Sequence, residues 1–366
     1  MRNELILVIN PGSTSTKVAL FEGQKELSQR ELRHDAAELK KFPHINDQRE
    51  FREAAVLQYL KDEQVALTDL AAIATRGGVV GQLEPGAYEI NETFVERSLH
   101  SKAPHPANLA PVIGYALAQE AGIPAYVYDA VCGCGVPEKM YTITSLPELE
   151  RPFLTHVLNS RAVSIAQAKK DGVKLEDVTY IVTHLGGGIT TNLVHHGRIM
   201  DFVGDDEGGL SPERSGGVPV RPLVKLCYSG RYTEKEMQEK LKGKGGVMGY
   251  LGTNDMREVE RRVDSGDTEA SLLFETMALQ ISQDIASLAP DVNGKVDRII
   301  LTGGLAHSKR FTELVTRRVA FIAPVTVIPG AYGRRTGPQT LNQIKEKELC
   351  RKSPSAQRAA KAAATA

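Results

Sequence analysis

The sequence predicts an α/β protein of two similar domains, and three observations support this fold class. The chain of 366 residues is longer than a single compact core usually accommodates. Short apolar segments typical of buried strands alternate with longer segments of helical periodicity. A strand–loop–strand unit also occurs twice, and 174 residues separate Asn10 in the first copy from His184 in the second.

The repeated unit begins with a buried strand, residues 5–9, followed by the polar loop 10–16 and a returning strand, 17–21. In the second copy the strand 179–183 precedes a loop from His184 to Gly188, and residues 189–194 return. A gapless superposition pairs Asn10 with His184, Gly12 with Gly186, Thr16 with Thr190 and Gly23 with Gly197. A repeat offset of nearly half the chain length favours a duplicated domain.

Helices are predicted between the strands of each half. Asp267 caps a helix whose apolar residues recur every four positions up to Pro290, ahead of the strand 298–301 and the loop 302–307. Another helix occupies residues 108–121 and precedes the strand 125–128. We therefore expect a sheet in each half, with domains at 1–147 and 148–330 and a divergent, partly disordered tail at 331–366.

Composition excludes several functional classes. Basic and acidic residues both number 45, which gives no support to nucleic-acid binding. No apolar segment approaches the length of a membrane span, and the N-terminal apolar segment is too short for a signal peptide, so a cytoplasmic protein is expected. The four cysteines have neither the spacing of a metal site nor the setting of a disulfide framework.

Three loops rich in Gly, Ser and Thr follow strands, at residues 10–16, 184–188 and 302–307. Such loops let backbone N–H groups and hydroxyls approach an anion closely. Two facing loops, one from each domain, would hold the two ends of a polyphosphate in the cleft between the domains. No Walker A pattern is present, so the loops predict nucleotide binding of another type.

The first loop and its neighbouring strands resemble the first phosphate loop of the acetokinase family, which comprises acetate and butyrate kinases. Further segments resemble the family in the same order along the chain: 76–78, 105–109, 184–188, 211–217, 250–255 and 301–304. The segments Pro-Glu-Arg-Ser-Gly-Gly and Tyr-Leu-Gly-Thr-Asn resemble butyrate rather than acetate kinases. The resemblance extends from the first strand to about Gly330.

The resemblance implies an actin-like (ribonuclease H-like) ATPase fold, a homodimer, and use of ATP or ADP with Mg²⁺. The implied reaction is reversible phosphorylation of butanoate to butanoyl phosphate. Two alternatives remain: a kinase of acetate, propionate or a branched-chain fatty acid, and a non-catalytic ATP-binding clamp. Pocket volume would decide the first, because each extra methylene contributes only about 0.8 kcal/mol.

The family also implies catalytic roles for four residues. Arg76 and Arg214 match arginines that stabilise the carboxylate and the transferring phosphoryl group. His156 resembles a histidine that donates to phosphoryl oxygens, although a helix histidine packed beside Phe153 and Asn159 is an alternative. Asp129 matches an aspartate near the metal and the acyl group, although an aspartate that ends a strand is often only a turn residue. A site of this kind requires fixed positive charge and in-line positioning more than a base, because a carboxylate is already ionised.

Binding roles follow from the same resemblance. Asn10 would hold the water shell of the metal, and it would contact phosphate together with Ser13, Ser15 and Lys17. The second loop would contact phosphate through His184, Gly186, Gly187 and Gly188. The nucleoside would be framed by Asp255, Arg257, Gly303 and Gly304.

The chain departs from the family pattern at two places. Ala130 follows Asp129 where the family usually has proline. After Gly330 no acidic residue occurs until Glu346, whereas the family has acids there, one of which helps to place the metal. A reading-frame change near residue 331 would produce this break, and resequencing the coding DNA tests it. We therefore expect reduced rather than absent activity.

Overall fold

The computed structural model describes residues 5–23, 25–101 and 105–330. Two compact units are present, and the division between them falls at Val136 and Pro137. The domain bounds inferred from sequence, 1–147 and 148–330, remain predictions. The proposed tail at 331–366, with its missing acids, lies outside the described residues.

The first unit contains one mixed sheet and four helices among its described residues. Its strands are β1 (Leu5–Pro11), β2 (Ser15–Glu22), β3 (Lys25–Arg33), β4 (Leu70–Arg76), β5 (Ala87–Glu89) and β6 (Ala125–Tyr128). Its helices are α1 (Ala36–Leu39), α2 (Arg49–Asp62), α3 (Glu92–Leu99) and α4 (Leu109–Ala121). Helix α4 ends where Gly122 adopts a left-handed conformation, as the sequence predicts.

The second unit contains a five-stranded sheet. Its strands are β7 (Thr179–Leu185), β8 (Ile189–His195), β9 (Arg198–Val203), β10 (Arg298–Gly303) and β11 (Val325–Pro329). Its helices are α5 (Val157–Asp171), α6 (Val220–Cys227), α7 (Glu234–Leu241), α8 (Val247–Leu251), α9 (Met256–Asp264), α10 (Thr268–Ser287) and α11 (Lys309–Val319). Asp267 caps α10 by accepting hydrogen bonds from the N–H groups of Glu269 and Ala270, as predicted.

The two sheets share one topology, which confirms the predicted α/β class. The first has the order β3-β2-β1-β4-β6-β5 and the second the order β11-β10-β7-β8-β9. In each, a three-stranded antiparallel meander continues into two parallel strands on the side of its first strand. The duplication inferred from two hairpins therefore extends over five strands, and β5 is an addition in the first unit.

The gapless superposition of the two hairpins is wrong after the loop. In the first hairpin Pro11 pairs with Thr16 and the loop contains four residues, whereas Leu185 pairs with Ile189 across three. Lys17 opposite Asn10 therefore corresponds to Thr190 opposite His184, and Thr16 corresponds to Ile189. The sequence match of Thr16 with Thr190 misses this difference because it scores residue types rather than pairing.

Each unit has its own apolar core. In the first, α2, α3 and α4 pack on β1, β2, β4 and β6. In the second, α9, α10 and α11 cover one face of the sheet, including Ile181, Leu185 and Ile189, and α5 packs against β7, β8 and β10. The buried strands of a sheet covered by helices have continuous apolar sequences, which is why β1 and β7 can be recognised in the sequence.

No helix in the described part of the chain is both long enough and apolar enough to cross a membrane.

Candidate functional site

The carboxyl ends of three strands in the first unit carry predicted site residues. Strand β4 lies between β1 and β6 and runs parallel to both. Asn10 lies near the end of β1, Arg76 ends β4, and Asp129 follows β6 directly. Because parallel strands end at the same edge of a sheet, these three residues are brought to one edge.

The first loop rests on a buried arginine that the sequence does not reveal. Arg52 in α2 is fully buried, and its guanidinium donates to the carbonyl oxygens of Ser13 and Ser15 and to the hydroxyl of Thr16. Thr16 Oγ1 also lies 2.8 Å from Nε2 of His34. Burial, together with the charge of Arg52, lowers the pKa of His34 to about 4, so His34 is neutral at neutral pH. This polar brace fixes the loop from beneath.

Two residues of the first loop contact an acidic side chain on β3. Ser15 Oγ donates to Glu31 at 3.1 Å, and Lys17 Nζ lies 3.9 Å from the same carboxylate. The bond from Ser15 and the nearby lysine lower the pKa of Glu31. The phosphate-binding roles of Ser13, Ser15 and Lys17 remain predictions.

Arg76 is half-buried, and among the described residues its side chain has no hydrogen bond or ion pair. Desolvation lowers the pKa of the guanidinium, and no carboxylate opposes this effect. The chain turns tightly after it: a side chain on Gly77 would collide with Val127 and Ala130, and one on Gly78 would overlap Asn108. The two glycines thus allow the strand to end in a compact turn beneath the arginine.

Asp129 is buried and lies in a strained turn. Its φ of 41° is unusual for a residue other than glycine. Its carboxylate accepts the N–H of Gly86 at 2.8 Å, while its own N–H donates to the carbonyl of Gly86 at 3.0 Å. The reciprocal contact fixes the orientation of the carboxylate at the sheet edge, despite the alanine that follows it.

Two predicted histidines lie together in the second unit. His156 precedes α5 and His184 ends β7, and their rings stack with centroids 4.4 Å apart. Nδ1 of His156 lies 3.0 Å from the hydroxyl of Thr190, and Nδ1 of His184 lies 2.9 Å from the amide nitrogen of Asn159. His156 is therefore neither inside the helix nor in an apolar setting.

The glycine loop 186–188 is held by the segment that carries Arg214. Ser211 Oγ and the N–H of Glu213 both donate to the carbonyl of Gly187, at 2.9 Å each. Arg214 Nε lies 3.1 Å from Asp205, and its Nη1 lies 3.3 Å from the carboxylate of Glu213. The arginine is thus held beside the loop by two carboxylates.

A cleft of about 830 Å³ opens beside the same loop. Its lining includes Gly186, Gly187, Asp255, Arg257 and Gly304, all predicted to bind the nucleotide. Its volume is in the range of small-molecule sites. Arg257 chelates Asp255 through two nitrogens, and this pairing lowers the pKa of Asp255 to about 2. Asp255 also caps α9.

Gly303 closes the strand next to this cleft. Its φ of 97° and the 2.4 Å that would separate a Cβ from the carbonyl of Leu185 both require glycine. Gly303 and Gly330 exchange two backbone hydrogen bonds, of 3.1 and 2.8 Å. The start of the third predicted loop is therefore packed closely against the end of β7 and hydrogen-bonded to the residue that follows β11.

Sequence reasoning missed several residues that support these loops. Arg52, Asn108, Asn159 and Asn254 each contact a loop by a hydrogen bond, and Asn254 donates to Glu213 at 2.6 Å. Glu213 and Asn254 lie inside segments that match the family, but Arg52 lies in a helix without a motif. Across residues 5–23, 25–101 and 105–330, no three His, Cys, Asp or Glu side chains form a metal-binding cluster.

Comparison with known proteins gives the family. Residues 151–326 match the model of the acetokinase family. Two relatives share most of the chain. "Butyrate kinase 2" of Clostridium acetobutylicum is 40% identical over 328 residues, covering 89% of this chain and 92% of the relative. "Probable butyrate kinase 2" of Caldanaerobacter subterraneus subsp. tengcongensis is 42% identical over 327 residues, with the same coverage.

Solved structures agree at the level of the fold. Acetate kinase of Porphyromonas gingivalis superposes with a TM-score of 0.77 at 19% identity, over 93% of this chain and 99% of that one. A propionate kinase of Francisella tularensis gives 0.75 at 19% identity with the same coverage. The high identity to the butyrate kinases extends over both units, and the chain belongs to the acetokinase family.

Proposed function

We propose that the protein is a butyrate kinase that transfers the γ-phosphoryl group of ATP to butanoate, giving butanoyl phosphate and ADP reversibly. Two relatives about 40% identical over most of the chain carry that name. A carboxylate oxygen attacks the γ-phosphorus, and the bond from that phosphorus to the oxygen of the leaving ADP breaks. No proton has to move, because butanoate is ionised at neutral pH.

The observation that carries the proposal is the charge of Arg76, which has no counter-ion among residues 5–23, 25–101 and 105–330. Holding a half-buried guanidinium without a counter-ion costs stability, and such a cost is typical of a functional position. A planar guanidinium binds a carboxylate through two parallel hydrogen bonds. A bound butanoate would supply the missing negative charge, and a nucleotide-binding clamp without an acid substrate would not need this group.

The second unit supplies the groups suited to the nucleotide. The backbone of loop 186–188 and the ring of His184 would contact phosphate, and the cleft beside Asp255 and Gly304 would hold the nucleoside. Arg214 and His156 would stabilise the charge on the transferring phosphoryl group. Arg214 would exchange part of its contact with Asp205 and Glu213 for phosphoryl oxygens as charge builds up.

Mg²⁺ is proposed to enter with ATP. Asn10 and Asp129 lie at the same sheet edge and offer an amide oxygen and a carboxylate, which are the oxygen donors that Mg²⁺ prefers. The ion usually retains several waters and bridges phosphates, so two protein groups suffice to hold it through its water shell. When bound, it would neutralise charge on the β- and γ-phosphates. Asn10 and Asp129 would orient that hydrated ion.

A homodimer is part of the proposal, and α6 offers the surface for it. None of the residues of α6 is buried, and Val220 and Val224 are 68% and 49% exposed on one side, followed by Tyr228 at 88%. An apolar face of this kind suits a second copy of the chain. Light scattering should give a dimer, and Val220→Asp with Val224→Asp should give a monomer. Lys225→Asp, outside this face, is the control.

A hydroxylamine trap for acyl phosphate tests the function. The protein is incubated with ATP, Mg²⁺ and acids of two to five carbons, and the hydroxamate formed from each is measured. We expect the highest kcat/KM with butanoate, and ATP formation from butanoyl phosphate and ADP. Arg76→Leu prepared in parallel controls for contaminating kinases. A higher kcat/KM for acetate would contradict the assignment to butyrate, and no product with any acid would contradict the kinase.

A further inference from the structure

We propose that Asn159 is a positioning residue that fixes which nitrogen of His184 carries the proton, so that Nε2 presents an N–H group to the glycine loop. The sequence does not predict this contact, because Asn159 lies in α5 and His184 lies at the end of β7. The functional consequence rests on the proposed nucleotide site, but the assignment of the proton rests on geometry alone.

The contacts of the Asn159 amide nitrogen favour one arrangement of hydrogen atoms. Asn159 lies in the first turn of α5, and its side chain is 7% exposed. Its amide nitrogen lies 2.9 Å from Nδ1 of His184 and 3.2 Å from Oγ1 of Thr302. An amide NH₂ group has two hydrogens and accepts nothing, so both neighbours must accept. Nδ1 of His184 is therefore unprotonated, and the proton of the neutral ring is on Nε2.

Thr302 determines the orientation of the amide. Its single hydroxyl hydrogen is directed to the carbonyl of Gly330 at 3.2 Å, so that its lone pairs face Asn159. Reversing the amide would place the carbonyl of Asn159 against this hydroxyl and would draw its hydrogen away from Gly330. Thr302 is fully buried, and a lost bond at such a position is costly. The amide of Asn159 thus donates both to His184 and to Thr302, and Thr302 donates in turn to Gly330.

The other ring nitrogen borders the phosphate loop. Nε2 of His184 lies only 3.0 Å from the point that a Cβ on Gly186 would occupy. An N–H at this nitrogen adds a donor to the backbone donors of loop 186–188, whereas a lone pair there would repel phosphate oxygens. A protonated Nδ1 would instead meet the hydrogens of Asn159. Asn159 therefore directs the donor of the ring toward the loop.

Nitrogen NMR of protein labelled with ¹⁵N-histidine tests the assignment, with His184→Gln identifying the signals. We expect an unprotonated Nδ1 and a protonated Nε2 in the wild type. Asn159→Asp, which can only accept, should protonate Nδ1. Asn159→Leu and Thr302→Val should give averaged signals, because both tautomers become populated.

Kinetics give a second readout. Asn159→Leu should raise KM for ATP about fivefold, comparable to one lost hydrogen bond, with a smaller change in kcat. Asn192→Leu is the control: Asn192 is an equally buried amide that bonds Ser160 and Thr155. It should lower stability and leave the His184 signals unchanged.

A protonated Nδ1 in the wild type, or identical His184 signals in the wild type and all three variants, would overturn the proposal. Because the spectra need no turnover, they remain informative if the protein phosphorylates no acid. In that event the proposed function fails, and the spectra still decide the role of Asn159.

Discussion

The two hairpins begin alike and differ beneath their loops. In the first, Thr16 is buried against Arg52 and His34, so the face below the loop is polar. In the second, the structurally equivalent residue is Ile189, which belongs to the apolar core. The residue beneath the first loop is therefore held by hydrogen bonds, and the equivalent residue beneath the second loop by apolar packing. A loop that binds phosphate can be fixed by either means, provided that its backbone N–H groups are held still.

The two hairpins also differ in the residues that pair across the strands with Asn10 and with His184. Opposite Asn10 lies Lys17, which pairs with Glu31, whereas opposite His184 lies Thr190, which contacts His156. The arginines complete the contrast: Arg76 has no partner among the described residues, and Arg214 has two carboxylates. The two units thus differ in whether a carboxylate from the described part of the chain pairs with the arginine.

Replacing the two arginines should produce the largest effects. Arg76→Leu and Arg214→Leu should each lower kcat/KM for butanoate by roughly 10²–10³, the usual cost of losing one charge-stabilising donor. Only Arg214→Leu should lower the free energy of unfolding, by about 1 kcal/mol, because two carboxylates lose their partner. Urea unfolding alongside the hydroxamate assay measures both. Equal destabilisation by the two changes would contradict the contrast.

Replacing the buried polar side chains of Thr16, His34 and Arg52 beneath the first loop with apolar ones tests the comparison of the hairpins. Thr16→Ile copies the second unit and should lower the free energy of unfolding by about 3 kcal/mol, since Arg52 and His34 lose a buried partner. The triple change Thr16→Ile, His34→Leu, Arg52→Met should recover part of this loss. The urea midpoints of Thr16→Ile and of the triple variant measure the loss and its recovery. A triple variant less stable than the sum of its single changes would argue against it.

Two buried titratable groups, His34 beneath the first loop and Asp284 in the second unit, should respond to acid in opposite directions. The pKa of His34 is lowered from 6.5 to about 4, chiefly by burial, so its contribution is present above pH 6.5 and is lost as pH falls to about 4. Asp284 accepts the N–H of Gly209, and burial raises its pKa from 3.8 to about 6. Its contribution is present below pH 4 and is lost as pH rises to about 6.

Single replacements reveal these opposite slopes. Between pH 4 and 6.5, His34→Gln should reduce the acid-induced loss of stability by about 1–2 kcal/mol, and Asp284→Asn should increase it by a similar amount. Urea unfolding at closely spaced pH values checks both. An unchanged slope in either variant would show that the replaced group has the same pKa in the folded and unfolded states.

Thr190→Val should have the smallest effect. The change keeps the shape of a buried side chain and removes the hydroxyl beside His156. We expect kcat to fall about fivefold, corresponding to one hydrogen bond, with little change in KM for ATP. Thr191→Val, which removes a buried hydroxyl that bonds Thr183, is the matched control and should leave kcat unchanged. Equal kinetics for the two variants would exclude a role for Thr190 in orienting His156.

Much of the fold could be predicted from local sequence. Local residue patterns predict the apolar strands β1 and β7. They also predict the start of a helix at Asp267 and the end of another at Gly122. Strand β3 could not be found, because its residues are mostly exposed and charged and it is held by pairing with β2 alone among the described strands. A strand that is stabilised mainly by hydrogen bonds to an adjacent strand needs no apolar pattern in its own sequence.

The candidate site likewise contains some residues that could be predicted from the sequence and others that could not. Glycine-rich loops and their arginines were identified from composition and resemblance, and the structure places Gly186, Gly187, Asp255, Arg257 and Gly304 around one cleft. Arg52 and Asn159 were missed since their bonds join residues that are far apart in the chain. The one-residue difference between the hairpins was missed for a related reason: only the ladder shows where each loop closes.

The solitary charge of Arg76 has a practical consequence for handling the protein. Because no carboxylate in the described ranges pairs with Arg76, its guanidinium should attract anions from the solution, and acetate, sulfate and phosphate in a buffer should then compete with the proposed acid substrate. Apparent affinity for butanoate would then depend on the choice of buffer salt as well as on pocket shape. Assays in a buffer of bulky zwitterions at low salt would measure the intrinsic preference, and a series of added anions would rank those that occupy the empty position.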